Sequence, residues 1–124
     1  MLDKSDKFYL TPAERLVMRV IWLSDRELVL NEILSVCNEQ YQKEWKPQTV
    51  STYLSHLVRK DFLKMERSGK YCKYHPLVSV REYLDYDTEN FAVYWGIDLD
   101  SMMSAVNRVK ESKETKGQNL IVGR

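Results

Sequence analysis

A stretch of 124 residues has room for one ordinary domain and a short appendage. With 44% hydrophobic and 30% charged residues it is globular rather than disordered, with a modest core of the kind that often leans on a partner chain. The net charge of +1 does not advertise nucleic acid, but its distribution does: residues 42–75 carry eight Lys/Arg against three acids, and the flanks are each −2. A basic middle between acidic ends is the footprint of a phosphate-facing surface, although a charge cluster is also the ordinary appearance of a solvated face.

Thr11-Pro12-Ala13-Glu14 opens the first element. Thr11 can cap, Pro12 suits the first helical position because its missing N–H would be unpaired there, and Glu14 completes a capping box. Ala13, Leu16, Val17, Val20 and Ile21 then recur at helical spacing, flanked by Met18 and Trp22, and predict a helix over about 12–25. Leu28-Val29-Leu30 reads as a short strand, with Asn31 as N-cap of a second helix over about 32–42 that carries Ile33, Leu34 and Cys37. Glu44-Trp45-Lys46-Pro47 breaks that helix. Val50, Leu54, Leu57 and Val58 then mark the buried stripe of a third, over about 47–60.

After Phe62 the period becomes alternating. Leu63 to Arg67, a Ser68-Gly69-Lys70 turn and Tyr71 to His75 predict a β-hairpin, ended by Pro76, and the short strand at 28–30 would give it a third strand. From Ser79 the pattern is helical again through Val80, Tyr83, Leu84, Phe91, Tyr94 and Trp95, with Gly96 as the stop. Asp98 or Asp100 can cap a last helix bearing Leu99, Met102, Met103, Val106 and Val109, and Lys113 to Arg124 is expected to fray.

Helix, short strand, helix, helix, hairpin is the order of a winged helix. The fold class is therefore mostly α with a small β part (α+β). Residues 1–77 form a winged helix-turn-helix DNA-binding domain, and 78–124 form C-terminal helices that have little chain left to fold against. Their apolar residues, Tyr83, Leu84, Phe91, Tyr94, Trp95, Leu99, Met102, Met103 and Val106, are expected to bury on a second copy.

In helix-turn-helix readers the second helix of the pair enters the major groove. Gln48, Thr49, Ser51 and Thr52 are groups suited to base edges and thymine methyls, and Lys46, Ser55, Arg59 and Lys60 are placed for phosphate. Arg67, Lys70 and Lys73 make a basic wing suited to the minor groove or backbone. An amphipathic surface helix followed by a charged turn would show the same residues. His56 has no companion acid or thiol in the sequence and reads as a surface or phosphate contact.

Enzyme signatures are absent: there is no glycine-rich phosphate loop, no H-E-x-x-H and no G-x-S-x-G. Cys72 and His75 lie at odd spacing on a strand, facing opposite sides, with no second pair for a metal, so neither metal nor cofactor is expected. Cys37 falls among apolar residues as a small hydrophobe. The polar opening Met1 to Lys7 is no secretory signal and no apolar run reaches ~18 residues, so a cytoplasmic protein without membrane insertion is expected.

The stretch from Leu10 to Trp22 resembles the opening of the penicillinase and methicillin-resistance repressors, the BlaI/MecI/CopY family. The likeness continues at Lys43 to Thr52, with its Trp-x-Pro-x-Thr run, at Leu57 to Leu63 and at Tyr74 to Val78. It covers roughly residues 8–91. Lys46 departs from the usual Ser/Thr cap, Ser51 stands where a basic residue is common, and the copper branch's C-terminal cysteine pairs are missing.

The resemblance implies a homodimeric repressor on a palindromic double-stranded DNA operator, with Gln48, Thr49, Ser51 and Thr52 facing bases. It also implies a switch. Asn90-Phe91, thirteen positions after Val78, falls where such repressors carry a bond cut on induction, in a system with a membrane sensor protease, and the weak helix former Asp87–Asn90 would let the surrounding helix fray. A helix-core Phe91 with an exposed neighbour is the alternative reading of that dipeptide. Two other functions fit the same residues: a repressor released by a small ligand at the dimer interface, and a winged-helix protein–protein module.

Overall fold

A computed structural model describes residues 6–115. Its elements run α1 (Pro12–Leu23), α2 (Leu30–Gln40), α3 (Pro47–Arg59), β1 (Leu63–Ser68), β2 (Tyr71–Pro76), α4 (Val80–Trp95) and α5 (Leu99–Thr115). The α+β class and winged-helix order are those expected.

The start of α1 follows its local chemistry. Thr11 accepts from the Glu14 backbone N–H at 3.2 Å, and Glu14 accepts from the Thr11 N–H at 3.0 Å, which satisfies two helix-end donors reciprocally. The helix stops at Leu23, two residues short of expectation, where Ser24 turns extended. At α2 the expected cap is wrong. The helix begins at Leu30 with Val29 at the cap, and Glu32 reaches back to the Val29 N–H at 3.0 Å, so Asn31 lies inside the first turn. Because helix takes Leu30, only Leu28 remains for pairing, and the expected third strand shrinks to a single bridge to Tyr74.

Helix α3 ends in a left-handed turn. Phe62 N–H bonds the Leu57 carbonyl and Asp61 N–H that of Val58, with Asp61 at φ 62°, a position usually held by glycine. The turn drops Phe62 into the core and starts β1 at once. Strands β1 and β2 pair antiparallel from Leu63–Pro76 to Ser68–Tyr71, and Gly69 at φ 64° supplies the positive φ of a tight hairpin loop.

The core is one cluster. Val17, Met18, Val20 and Ile21 of α1 meet Ile33 and Cys37 of α2 and Val50, Leu54 and Leu57 of α3, with Phe62, Leu63 and Tyr74 closing it from the hairpin side. Burial pushes the Cys37 thiol up, so it acts there as an apolar filler. The cluster continues into Val78 and Tyr83, beyond the expected domain edge at residue 77. Tyr83 stacks at 5.3 Å from Trp22 and 6.1 Å from Phe62, and burial pushes its phenol up to about 12. Its own chain covers it, so Tyr83 leaves the set of apolar residues expected to bury on a second copy.

Helix α4 is continuous through the stretch expected to fray. Asn90 Nδ2 donates to the Tyr86 carbonyl at 3.0 Å, Arg15 of α1 pairs with Asp87, and Gly96 ends the helix in the left-handed conformation. Asp98 Oδ1 accepts from Ser101 N–H at 2.7 Å at the start of α5. Lys113 to Thr115, expected to be frayed, belong to α5; residues 116–124 of that tail lie outside the described residues, as do residues 1–5. Helix α5 buries none of its residues.

Candidate nucleic-acid interface

The exposed side of α3 is created by the same spacing that buries Val50, Leu54 and Leu57. Three turns of helix put Gln48, Thr52, Ser55 and Arg59 on the opposite side, all exposed, with Thr49 and Ser51 half-buried at its two edges. Of the four expected base-facing residues, two stand fully clear and two sit at the margins.

The Thr52 hydroxyl donates to the Gln48 carbonyl at 3.0 Å, which leaves its methyl group and oxygen lone pairs toward solvent. Lys46 is the N-cap of α3 and makes no side-chain cap, so an exposed ammonium lies beside helix-start donors that no side chain satisfies.

The turn that aims α3 depends on a residue the sequence reading did not single out. Asn38 of α2 accepts from the Trp45 N–H and donates to the Trp45 carbonyl, each at 3.0 Å. Trp45 in turn stacks edge-on against Tyr53 of α3 at 5.1 Å. A single amide thus pins the connection between the two helices from both of its ends. Nothing in spacing or composition marks Asn38, because its partners are backbone atoms seven residues on.

Glu14, expected only as a capping-box residue, has a second role: it is 2% exposed, a buried charged residue at the edge of the core. Its Oε1 takes the Lys60 ammonium at 2.5 Å and its Oε2 lies 3.4 Å from His56 Nδ1. Burial works to raise its carboxyl, but hydrogen bonds from Lys60 and Thr11 outweigh that and hold it below the ordinary value. Two expectations change accordingly. His56 does have a companion acid. Lys60, expected to meet phosphate, is committed inward, bonding both Glu14 and the Tyr9 carbonyl.

The wing is also divided. Cross-strand partners share a face, so Arg67 and Cys72 lie on one side of the hairpin while Glu66 and Lys73 lie on the other. Arg67 is exposed, and Lys70 at the tip sits 5.3 Å from the ring centre of exposed Tyr71. Lys73 is half-buried, close enough to Glu32 to help lower its carboxyl after the larger effects of Arg26 and the Val29 N–H. Arg67, whose Nη1 also donates to Cys72 Sγ at 3.6 Å, Lys70 and Tyr71 are therefore the exposed wing residues around the tip, Tyr71 being an addition.

Beyond the winged-helix core, α4 and α5 expose Leu84, Phe91, Tyr94, Trp95, Leu99, Met103 and Val106, with Tyr94 at 72% the most open of these. Phe91, Met102, Ala105, Val106 and Val109 line an apolar groove of about 270 Å³ between the two helices. Among the described residues no group of three or more His, Cys, Asp or Glu could hold a metal ion, and no helix is long and apolar enough to cross a membrane.

Residues 10–119 match the family described as penicillinase repressor. The chain belongs to the penicillinase repressor family. The methicillin resistance regulatory protein MecI of Staphylococcus aureus (strain N315) is 29% identical over 84 residues, which cover 68% of this chain and 66% of MecI. The penicillinase repressor of Bacillus licheniformis is 27% identical over 82 residues, covering 66% of this chain and 62% of that protein. Thus the matched stretch spans a little under two thirds of these relatives.

Among solved structures, the DNA-binding domain of the repressor BlaI superposes with a TM-score of 0.54 at 27% identity, over 63% of this chain and 92% of that one. The monomeric form of Bacillus licheniformis BlaI in complex with the blaP half-operator gives a TM-score of 0.50 at 28% identity, over 60% and 88%. The family assignment agrees with the resemblance carried by Leu10–Trp22 and Lys43–Thr52.

Proposed function

We propose that this chain is a DNA-binding transcriptional repressor that reads a palindromic operator as a homodimer. The observation that carries the reading is the joining of two surfaces: the exposed polar side of α3, from Lys46 to Arg59, and the Arg67–Lys70–Tyr71 wing directly after it. A helix presented to the major groove beside a basic hairpin is the arrangement of groove reading with backbone anchoring. The BlaI half-operator complex supports it by likeness.

In this reading residues 1–77 supply the reading head, with the first turns of α4 completing its core. Residues 78–124 supply the dimer contact through the exposed apolar side of α4 and α5. The protein works in the cytoplasm, without a metal or cofactor. The test is selection from a random duplex library followed by titration against salt. Enrichment of an inverted repeat, with affinity falling steeply as salt rises, is the expected result. Binding that is independent of salt, or absent, would leave a winged-helix protein–protein module as the better account.

Release is proposed to follow a cut at Asn90–Phe91 by a sensor protease. The cut would remove most of the dimer contact and with it the effective concentration of the second head, a loss of about 10²–10⁴ in avidity. Since α4 is continuous there, the bond is reachable only by local opening of the helix from Asp87 onward. Intact-mass measurement on cells treated with a cell-wall antibiotic should find a fragment ending at Asn90. An intact chain with derepressed genes would discard the cut. The second reading is release by a small ligand at the dimer interface; a groove of about 470 Å³ between α1 and α4, lined by Arg15, Arg19, Trp22 and Tyr83 and reaching Leu84 of the proposed dimer surface, supports it.

A further inference from the structure

The ring of His56 stands between a buried carboxylate and solvent. Its Nδ1 lies 3.4 Å from Glu14 Oε2, its side chain is 41% exposed, and Nε2 has no partner among the described residues. Glu14 is fixed by its own bonds to Thr11 and Lys60, so the imidazole has a fixed carboxylate beside one edge and solvent at the other.

Its place on α3 decides what it would meet. Thr49, Thr52 and His56 follow one another at i, i+3 and i+7, along the edge of the exposed side nearest α1. A helix about 10–12 Å across fills a major groove about 12 Å wide, so side chains on the flanks of a reading helix face the phosphate rows rather than base edges. On that flank Lys60 is turned inward, which leaves His56 as the outward-facing nitrogen group.

Resting on the DNA-binding reading above, we infer that His56 is a proton-dependent contact to the duplex backbone: it binds a phosphate oxygen through Nε2–H as the imidazolium, with Glu14 behind it at Nδ1. The charged groups around the ring are few. The Glu14 carboxylate of α1 lies at Nδ1; Lys60, one turn on along α3, is bonded to the other oxygen of Glu14, and Arg59 neighbours it; Tyr9 lies behind Lys60, 5.6 Å from its ammonium to the ring centre. A phosphate arriving at Nε2 adds a second anion on the free edge, so the complex takes up a proton from solvent. The affinity gain is therefore present at low pH and lost as pH rises through the value for the bound form.

The test is fluorescence anisotropy with a 30-base-pair random-sequence duplex, since the contact is to phosphate, at fixed salt from pH 5.5 to 8.5. Wild type should gain up to about tenfold in affinity per pH unit over part of this range. His56→Gln should flatten that dependence and, at low pH, reduce the salt slope by about 0.9. His56→Arg should restore strong binding with no pH dependence, because guanidinium stays charged. His75→Gln should keep the dependence.

A slope unchanged in His56→Gln, or lost instead in His75→Gln, overturns the inference while leaving DNA binding intact. Failure of folded wild type to bind any duplex at low salt overturns both. The imidazole resonances of unaltered protein provide a check independent of any variant. Adding duplex at pH 7 should move His56 toward its protonated shifts, and a ring that stays neutral refutes the contact.

Discussion

The ammonium of Lys60 at the end of α3 lies 2.5 Å from the carboxylate of Glu14 at the start of α1. This pair ties the C-terminus of α3 to the N-terminus of α1; Thr11 and Tyr9 complete its hydrogen bonding, and His56 Nδ1 lies 3.4 Å from the other carboxylate oxygen. A buried pair of this kind contributes little against a well-packed apolar replacement, but removing one partner is costly because the other charge is left behind.

Glu14→Ala should therefore destabilise the fold by about 3 kcal/mol, the low end for a broken buried pair, since Lys60 keeps 33% of its side chain in solvent. The Glu14 carboxyl is held below its ordinary value, so its stabilisation is fully present above about pH 4.5 and lost as pH falls through the folded-state value. Urea unfolding at pH 7 and pH 3.5 should show a smaller pH effect in Glu14→Gln than in wild type. An equal effect in both would remove Glu14 from the acid sensitivity.

Asp61 holds the left-handed position after α3 with φ 62° and is exposed. Left-handed backbone costs a residue with a Cβ about 1–2 kcal/mol, while glycine adds chain entropy to the unfolded state. Asp61→Gly should thus stabilise by roughly 0.5–1 kcal/mol, read as a higher urea midpoint with unchanged slope. Destabilisation would mean that the Asp61 side chain contributes more than its backbone costs.

The fold was legible where local chemistry and packing agree. Thr11-Pro12-x-Glu14, the Val50–Leu54–Leu57 stripe, Gly69 and Gly96 each mark their element because the residue and the backbone state it favours coincide. It was not legible where a tertiary contact chose between local options. Glu32 reaching back to Val29 moved the start of α2, Trp22 and Phe62 claimed Tyr83 for the core, and Glu14 drew Lys60 off the surface. In the interface the polar side of α3 could be read from periodicity. The Asn38 clamp on Trp45 could not, since a side chain bonding to backbone leaves no pattern in composition.

Trp95 is 61% and Val106 51% exposed on the apolar side of α4 and α5, where neither supports the core. Trp95→Glu and Val106→Glu should each convert a dimer to monomer in sedimentation and leave the helical circular dichroism unchanged. A charge forced into an apolar contact costs several kcal/mol, enough to shift dissociation by orders of magnitude. A dimer that survives both changes would place the contact elsewhere on the chain.

Thr52 and Lys70 should separate sequence reading from anchoring. Lys70 and Arg59 are exposed cations, so changing either to alanine should weaken every duplex alike and lower the salt slope by about one unit per lost phosphate contact. Thr52 is different because its hydroxyl proton is taken by the Gln48 carbonyl, which leaves a methyl group and oxygen lone pairs for the groove. Such a group can touch a thymine methyl or accept from an adenine or cytosine amino group, but it cannot donate to guanine while that bond holds. Thr52→Val keeps the methyl and removes the acceptor, whereas Thr52→Ser does the reverse. If the contact is apolar, Val preserves the preferred base and Ser weakens it; if it is an accepted hydrogen bond, the order inverts. Either way the lost contact should cost roughly 1–3 kcal/mol against the preferred sequence and little against random DNA. The measurement is a competition binding assay over all four bases at each operator position. Uniform losses across bases for both variants would show that Thr52 positions the helix without reading sequence.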